Sequence, residues 1–174
     1  MPPLTAEQAR NLTSVEELDW DLWTPVETAT LLFVIKEDRL LLIRKKRGLG
    51  AGKINAPGGK LEPDETPLAA AIRETEEELC ITPLSPIYAG EHRFQFRDGY
   101  SLHVYLYRAE DFIGTPTETP EAIPIWVHKD EIPYDEMWAD DIYWLPPFIR
   151  GSSVFGTFIF DNDVMIEHHL KVVD

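Results

Sequence analysis

The sequence predicts an α+β fold in one domain. Three observations carry this: three pairs of apolar segments each joined by a short polar turn, one helix with cleanly separated faces, and no internal repeat or interdomain linker. A chain of 174 residues, 44% hydrophobic and 11% aromatic, is long enough to bury a sizeable core.

Residues 1–25 read as an N-terminal extension and 26–174 as the domain itself. The extension is polar and acidic, and a partly ordered arm is expected; "TSVEEL" within it offers Thr13 or Ser14 as the N-cap of a short helix. "ETATLLFVI" (Glu27–Ile35) and "RLLLIRK" (Arg39–Lys45) flank "KED" as a first hairpin. "KRGLGAGKINAPGG" (Lys46–Gly59) carries five glycines and a proline and reads as loop. "TPLAAAIRETEEELC" is helical, with Thr66 suited to the N-cap and Pro67 to the first helical position. "PIYAGEHRFQF" and "YSLHVYLYRAE" flank "RDG" as a second hairpin. "GTPTETPEAIP" reads as loop and "IWVHK" as a short strand. "EMWADDIYWLPPFIRG" reads as a helix start that Pro146 and Pro147 interrupt. "SVFGTFIF" and "VMIEHHLKVV" flank "DND" as a third hairpin.

Charge narrows the function classes. Acidic residues number 31 against 16 basic, a net charge of −15. Nucleic acids and anionic membranes are bound through basic patches, so neither is an expected partner. A small phosphorylated substrate stays compatible if a cation mediates. The single cysteine, Cys80, excludes an internal disulfide and fits a reducing compartment. The N-terminal residues lack the basic and apolar regions of a signal peptide, and no apolar run approaches the roughly 20 residues of a membrane span. A cytoplasmic monomer acting on a small molecule is expected.

The helix after the glycine-rich loop is unusually acidic. With Glu74 at zero on a helical wheel, Glu77 and Glu78 fall about 60° to one side and about 40° to the other. Leu68, Ile72, Thr75 and Leu79 fall on the opposite face, which would pack while the acidic face stays open. Arg73 is the only nearby basic residue, and no lysine occurs from Thr66 to Ile81. The residues alone leave two readings, a solvated acidic face and a hard-cation site. Mg²⁺ would suit the second, since it takes oxygen ligands and shares its coordination with substrate phosphates.

Gly59, Glu65, Arg73, Glu74, Glu77, Glu78 and Ile81 stand at the spacing of G-x5-E-x7-R-E-U-x-E-E-x-G-U, where U is a bulky apolar residue. In this the chain resembles the Nudix hydrolases. Two positions depart: Thr75 occupies an apolar site and Cys80 replaces the second glycine. Glycine adopts the left-handed conformation at a helix end cheaply and cysteine does not, so a different turn is expected there. The resemblance implies an α/β/α sandwich with a mixed β-sheet and one long catalytic helix. It also implies Mg²⁺-dependent hydrolysis, with Mn²⁺ able to substitute, of a nucleoside diphosphate linked to another group. By position, the Gly58 carbonyl and the carboxylates of Glu74, Glu77 and Glu78 would hold metal, with Glu78 central. Arg73 and Glu65 would tie the loop to the helix.

Within that family, "KKRGLGAGKINAPGGK", "GTPTETPEAIPIWVHKDEIPYDEMWADDIYWLPPFI" and "VFGTFIF" resemble the MutT-type oxidised-purine nucleoside triphosphatases of animals. The resemblance implies that Asn55 binds the base edge, Asp140 and Asp141 read the purine, and Trp138 stacks on it. It places Thr30, Lys45 and Phe94 against the substrate and Glu121 near the metals as an extra ligand or base. Adjacent carboxylates facing one ligand do not both ionise freely, so one would donate while the other accepts. From the residues alone, "ADD" also reads as a helix cap and Trp138 as core. Ile54, Ala56 and Pro57 depart from the group's pattern beside the expected base pocket.

The expected reaction is cleavage of a damaged purine nucleoside triphosphate, such as 8-oxo-dGTP or 2-oxo-dATP, to the monophosphate and pyrophosphate. Alternatives are a Nudix enzyme for another nucleotide or an RNA 5′ end, and a catalytically idle nucleotide-binding module. "GLGAGK" fails as a P-loop because Ile54 follows Lys53. The five histidines show no metal-ligand spacing, and most read as ordinary strand residues.

Overall fold

The computed structural model describes residues 1–174. The chain forms two compact units: Met1–Thr28, Gly90–Val104 and Ala139–Asp174 make the first, Ala29–Ala89 and Tyr105–Trp138 the second. The helices are α1 (Ala6–Ala9), α2 (Pro67–Leu79) and α3 (Asp141–Ile149). The strands are β1 (Glu27–Lys36), β2 (Arg39–Lys45), β3 (Ile54–Asn55), β4 (Gly58–Lys60), β5 (Ile81–Leu84) and β6 (Ile87–Phe96). They continue with β7 (Ser101–Ala109), β8 (Asp111–Gly114), β9 (Ala122–His128), β10 (Ser153–Asp161) and β11 (Val164–Val173). No helix is long and apolar enough to cross a membrane.

In the second unit, β1 and β2 form the first expected hairpin, with Lys36 opposite Arg39. Glu37 and Asp38 close it at φ 52° and 65°, the doubly left-handed turn whose twist matches that of the strands it joins. β2 also pairs antiparallel with β9 and, at Ile43 and Arg44, with β3. β4 pairs with β1, setting Thr30 opposite Gly59 and Leu31 opposite Gly58.

Helix α2 starts as expected: the Thr66 hydroxyl accepts from Ala69 N at 3.2 Å and Pro67 occupies the first turn. Its packing face differs from the wheel. Ala70, Ala71, Thr75, Glu78 and Leu79 are buried, whereas Leu68 is 41% exposed. Ala71 and Leu79 join Leu32, Val34, Leu41, Ile43 and Ile81 in one core. Burying a leucine such as Leu79 contributes about 1.5–3 kcal/mol. Thr75 keeps its hydroxyl satisfied by donating to the Ala71 carbonyl at 2.7 Å, so its methyl can pack where an apolar residue is usual.

The turn after α2 is not a different one. Cys80 itself sits at φ 60°, ψ 30° in the left-handed region, and its N–H donates to the Glu76 carbonyl. The apolar Ile81 behind it is fully buried, so the chain enters β5 in register at the expense of backbone strain at Cys80. β5 and its partner β8 were not expected from the sequence; Pro83 and Gly114 mask their alternation. β3 and β4 likewise lie in a stretch read as loop, and β9 begins at Ala122, earlier than expected.

In the first unit β10 pairs parallel with β6, from Val154 opposite Gly90 to Phe160 opposite Phe96, and antiparallel with β11. The sheet is therefore mixed. A Cβ on Gly90 would lie 1.8 Å from the Val154 carbonyl oxygen, so only glycine permits this approach.

The N-terminal residues fold more fully than a partly ordered arm. Thr5 and Gln8 form a reciprocal capping box on α1, and Ser14 caps a short 3₁₀ turn, Val15–Glu17. Ala9, Leu12 and Val15 pack with Ile159, and the Glu167 carboxylate accepts from Val15 N at 2.7 Å and Ser14 Oγ at 2.8 Å.

Pro146 and Pro147 do not interrupt α3, contrary to expectation. They fall in its second half, and the carbonyls that lose an N–H partner belong to Ile142 and Tyr143. Both of those residues are half-exposed, so water can satisfy them.

Candidate active site

Arg73 is the hub of the acidic helix. Its Nε and Nη2 donate to the two oxygens of Glu65 at 2.8 and 2.9 Å, a bidentate pair. Nη1 donates to Glu74 at 2.9 Å and Glu77 at 3.2 Å, and Nη2 also reaches the Lys60 carbonyl at 3.1 Å. Glu65 additionally accepts from Glu62 N at 2.9 Å. The Arg73 guanidinium pulls the Glu65 pKa down to about 2, and Arg73 is held firmly protonated in return.

One oxygen each from Glu74, Glu78 and Glu121 lie within 4.8 Å of one another. The i, i+4 spacing brings Glu74 and Glu78 to this point from α2. Glu121 arrives from the residue before β9, where it also pairs with Arg47 at 3.1 Å. Glu77 does not join the group; it is 51% exposed and faces Arg73. Nor is the acidic face open throughout, since Glu78 is only 4% exposed. Burial, then the charge of Glu74, pushes the Glu78 pKa up to about 8; the Gly58 N–H, 3.3 Å from Glu78 Oε1, and the Lys45 charge pull the other way. Burial also raises Glu74.

These carboxylates fit a divalent cation. Two have ionisation suppressed by burial and by the charge of neighbouring carboxylates, and Arg73 is already committed to four partners. A bound cation would offset both costs. Gly59 lies against the same group: a Cβ there would be 2.4–2.6 Å from the Glu74 carboxylate atoms, so a side chain would push Glu74 aside. A Cβ on Gly58 would lie 1.9 Å from the Thr30 carbonyl oxygen, so β4 and β1 approach only with glycine there.

Other expected substrate residues of the second unit lie on the elements around the glycine-rich loop. Thr30 is buried in β1 with its hydroxyl oxygen unpartnered. Lys45 ends β2, and a Cβ on Gly48 would be 3.7 Å from its Nζ. Asn55 is half-buried in β3 opposite Ile43, its Oδ1 accepting from Ala56 N at 2.8 Å. Trp138 is half-buried, with Lys53 Nζ 5.2 Å from its ring centroid.

In the first unit Asp140 and Asp141 are buried, 2% and 3% exposed. Asp140 stands at the N-cap of α3 without a side-chain capping bond, so the plain capping reading is not what its carboxylate does. Its Oδ2 accepts instead from the Trp144 indole N–H at 2.8 Å. Asp140 Oδ1 and Asp141 Oδ2 are buried without a partner. Burial raises both pKa values; for Asp141 the charge of Asp140 adds to it, while the Trp144 N–H holds Asp140 back. With one carboxyl protonated and its neighbour ionised, the pair would carry one donor and one acceptor. Phe94 stacks on Phe158 at 4.7 Å between centroids.

Three residues escaped the sequence reading. Trp144 lies four residues after Asp140, a spacing that places it one helical turn on. The Thr119 hydroxyl donates to the Glu78 backbone carbonyl at 2.8 Å; its position two residues before Glu121 is the only local hint. His92 is no ordinary strand residue: it is fully buried, with both ring nitrogens unpartnered, and its ring lies 4.6 Å from Trp144 and 5.0 Å from Phe158.

Residues 24–148 match the NUDIX domain, so the chain belongs to the Nudix family. The oxidized purine nucleoside triphosphate hydrolase of Danio rerio is 41% identical over 147 residues, covering 83% of this chain and 94% of the relative. The protein of the same name from Mus musculus is 37% identical over the same coverage. Among solved structures, the MutT mutator protein of Bacillus halodurans has a TM-score of 0.75 at 27% identity, covering 84% of this chain and 98% of its own.

Proposed function

We propose that this chain hydrolyses oxidised purine nucleoside triphosphates to the nucleoside monophosphate and pyrophosphate, using Mg²⁺, and so clears damaged nucleotides. The observation that carries the reading is 41% identity to a relative named for that activity, across 94% of the relative's length. The carboxylate group of Glu74, Glu78 and Glu121 supports the phosphate chemistry.

Glu74, Glu78 and Glu121 would hold Mg²⁺ together with the Gly58 carbonyl, and Glu77 would join them only by releasing Arg73. The bound ion would supply charge neutralisation for the phosphates and Lewis acidity. Arg73 and Glu65 fix α2 to the loop that precedes it, so the carboxylates keep their places as charge builds up. Lys45 lends positive charge beside Glu78. Asp140 and Asp141 offer one donor and one acceptor to the purine edge, and Asn55 offers both through its amide. Trp138 and Phe94 supply flat faces, and Thr30 a hydroxyl. Oxidation of guanine at C8 turns N7 from an acceptor into an N–H donor, a change that a carboxylate acceptor is suited to register.

The chain would act as a cytoplasmic monomer without stable nucleic-acid binding, in keeping with its net charge of −15. Product analysis tests the reaction. With 8-oxo-dGTP and Mg²⁺, ion chromatography should find monophosphate and pyrophosphate in equal amounts. Diphosphate with inorganic phosphate, or no product, would exclude it.

A further inference from the structure

The glycine-rich loop and the segment leading to Trp138 are joined by three separate contacts. Arg44 donates through Nη1 to the Gly52 carbonyl at 2.9 Å and through Nη2 to Glu136 at 2.8 Å, so one guanidinium spans both segments. Gly50, at φ +79°, lies against the indole: a Cβ there would be 2.8 Å from Trp138 Nε1 and 3.3 Å from Cε2. Lys53 then sets its ammonium 5.2 Å from the ring centroid. The loop itself is tied back to β2, since Gly52 N donates to the Lys45 carbonyl at 2.8 Å and Lys45 N to the Lys53 carbonyl at 3.0 Å.

A half-buried tryptophan on an irregular segment would otherwise sample several rotamers, and a stacking partner that must be ordered on binding weakens affinity. Here a cation over the ring, a glycine beneath its N–H edge and an ion pair two residues upstream restrict it. We propose that Lys53 and Arg44 are positioning residues for base recognition, acting through Trp138. They clamp its indole to the glycine-rich loop before substrate arrives. This rests on the reading of Trp138 as the base-stacking residue. Gly50 has a matching role: any side chain there would displace the ring.

The test compares Lys53→Met, Lys53→Arg and Arg44→Met with the native chain, in steady-state hydrolysis of 8-oxo-dGTP. Lys53→Met should raise KM about two- to five-fold, the range an exposed cation–π contact supplies, with kcat within about two-fold. Lys53→Arg should restore KM, because arginine also stacks on the ring. In a Trp138→Leu background Lys53→Met should change nothing further, as its effect runs through the indole. A KM increase of the same size in that background would overturn the proposal, since it would mark Lys53 as a direct phosphate contact. An unchanged KM in the native background would overturn it too. The indole N–H resonance of Trp138, identified by its loss in Trp138→Leu, gives a readout without turnover. It should move in Lys53→Met and Arg44→Met and return in Lys53→Arg. A resonance that stays put removes the clamp. A resonance that moves in a chain inactive on 8-oxo-dGTP leaves the clamp intact but overturns its role in recognition.

Discussion

The backbone N–H of Gly58 donates to Oε1 of Glu78 at 3.3 Å, joining the strand after the glycine-rich loop to the buried acid of α2. This single donor does not offset the burial of Glu78, whose pKa stands at about 8 without a cation. The folded value lies above the ordinary carboxylate value, so the contribution of Glu78 to stability is full below about pH 4.5 and is lost as pH rises through about 8. Mg²⁺ should therefore raise the melting temperature more at pH 8 than at pH 5. Equal shifts at the two pH values would count against Glu78 as a ligand.

Arg73 serves four acceptors with a planar fork, which a lysine ammonium cannot reproduce. Arg73→Lys should lower activity or apparent Mg²⁺ affinity about 10- to 100-fold, the usual cost of losing a group that orients metal ligands. A Mg²⁺ titration of initial rates measures it. Rates and midpoints matching the native chain would contradict the hub role.

His92 is buried neutral, its pKa pushed down to about 3 by burial. Unfolded, it takes up a proton below about pH 6.5, which the folded chain refuses. Stability should thus fall as pH drops from about 6.5 towards 3, with a slope of up to about 1.4 kcal/mol per pH unit from this residue. Urea unfolding across that range should show a shallower slope for His92→Leu. A slope identical to the native one would place the acid sensitivity elsewhere.

Cys80 holds a left-handed conformation that glycine adopts without strain. Cys80→Gly should stabilise the fold by about 0.5–1 kcal/mol, the relief at the turn being reduced by the greater freedom of glycine when unfolded. Chemical denaturation checks this. Destabilisation would mean that the cysteine side chain makes up for its backbone.

Much of this site could be read from the residues, and the limits follow from what periodicity encodes. Thr66 and Pro67 announce the start of α2 through local capping, and the Glu65–Arg73 pair follows from a fixed interval. Which glutamate turns inward is not local. Glu77 and Glu78 flank Glu74 almost symmetrically on a wheel, and only the packing of α2 in its unit buries Glu78 and leaves Glu77 outside. Glu121, which completes the carboxylate group, is brought in by the pairing of β9 with β2 over a long sequence separation. Resemblance pointed to it where spacing could not. The prolines of α3 misled because their cost depends on whether the orphaned carbonyls reach water, a tertiary property. Cys80 misled for a related reason: the burial of Ile81 fixes the turn regardless of the residue that must make it.

The central claim is selective hydrolysis of an oxidised purine triphosphate, and the most direct measurement is kcat/KM for pyrophosphate release from 8-oxo-dGTP and dGTP with Mg²⁺. The native chain should favour 8-oxo-dGTP, about 10-fold or more, as expected when a buried donor–acceptor pair is matched by one base and left unpaired by the other. Equal values for the two nucleotides would contradict it.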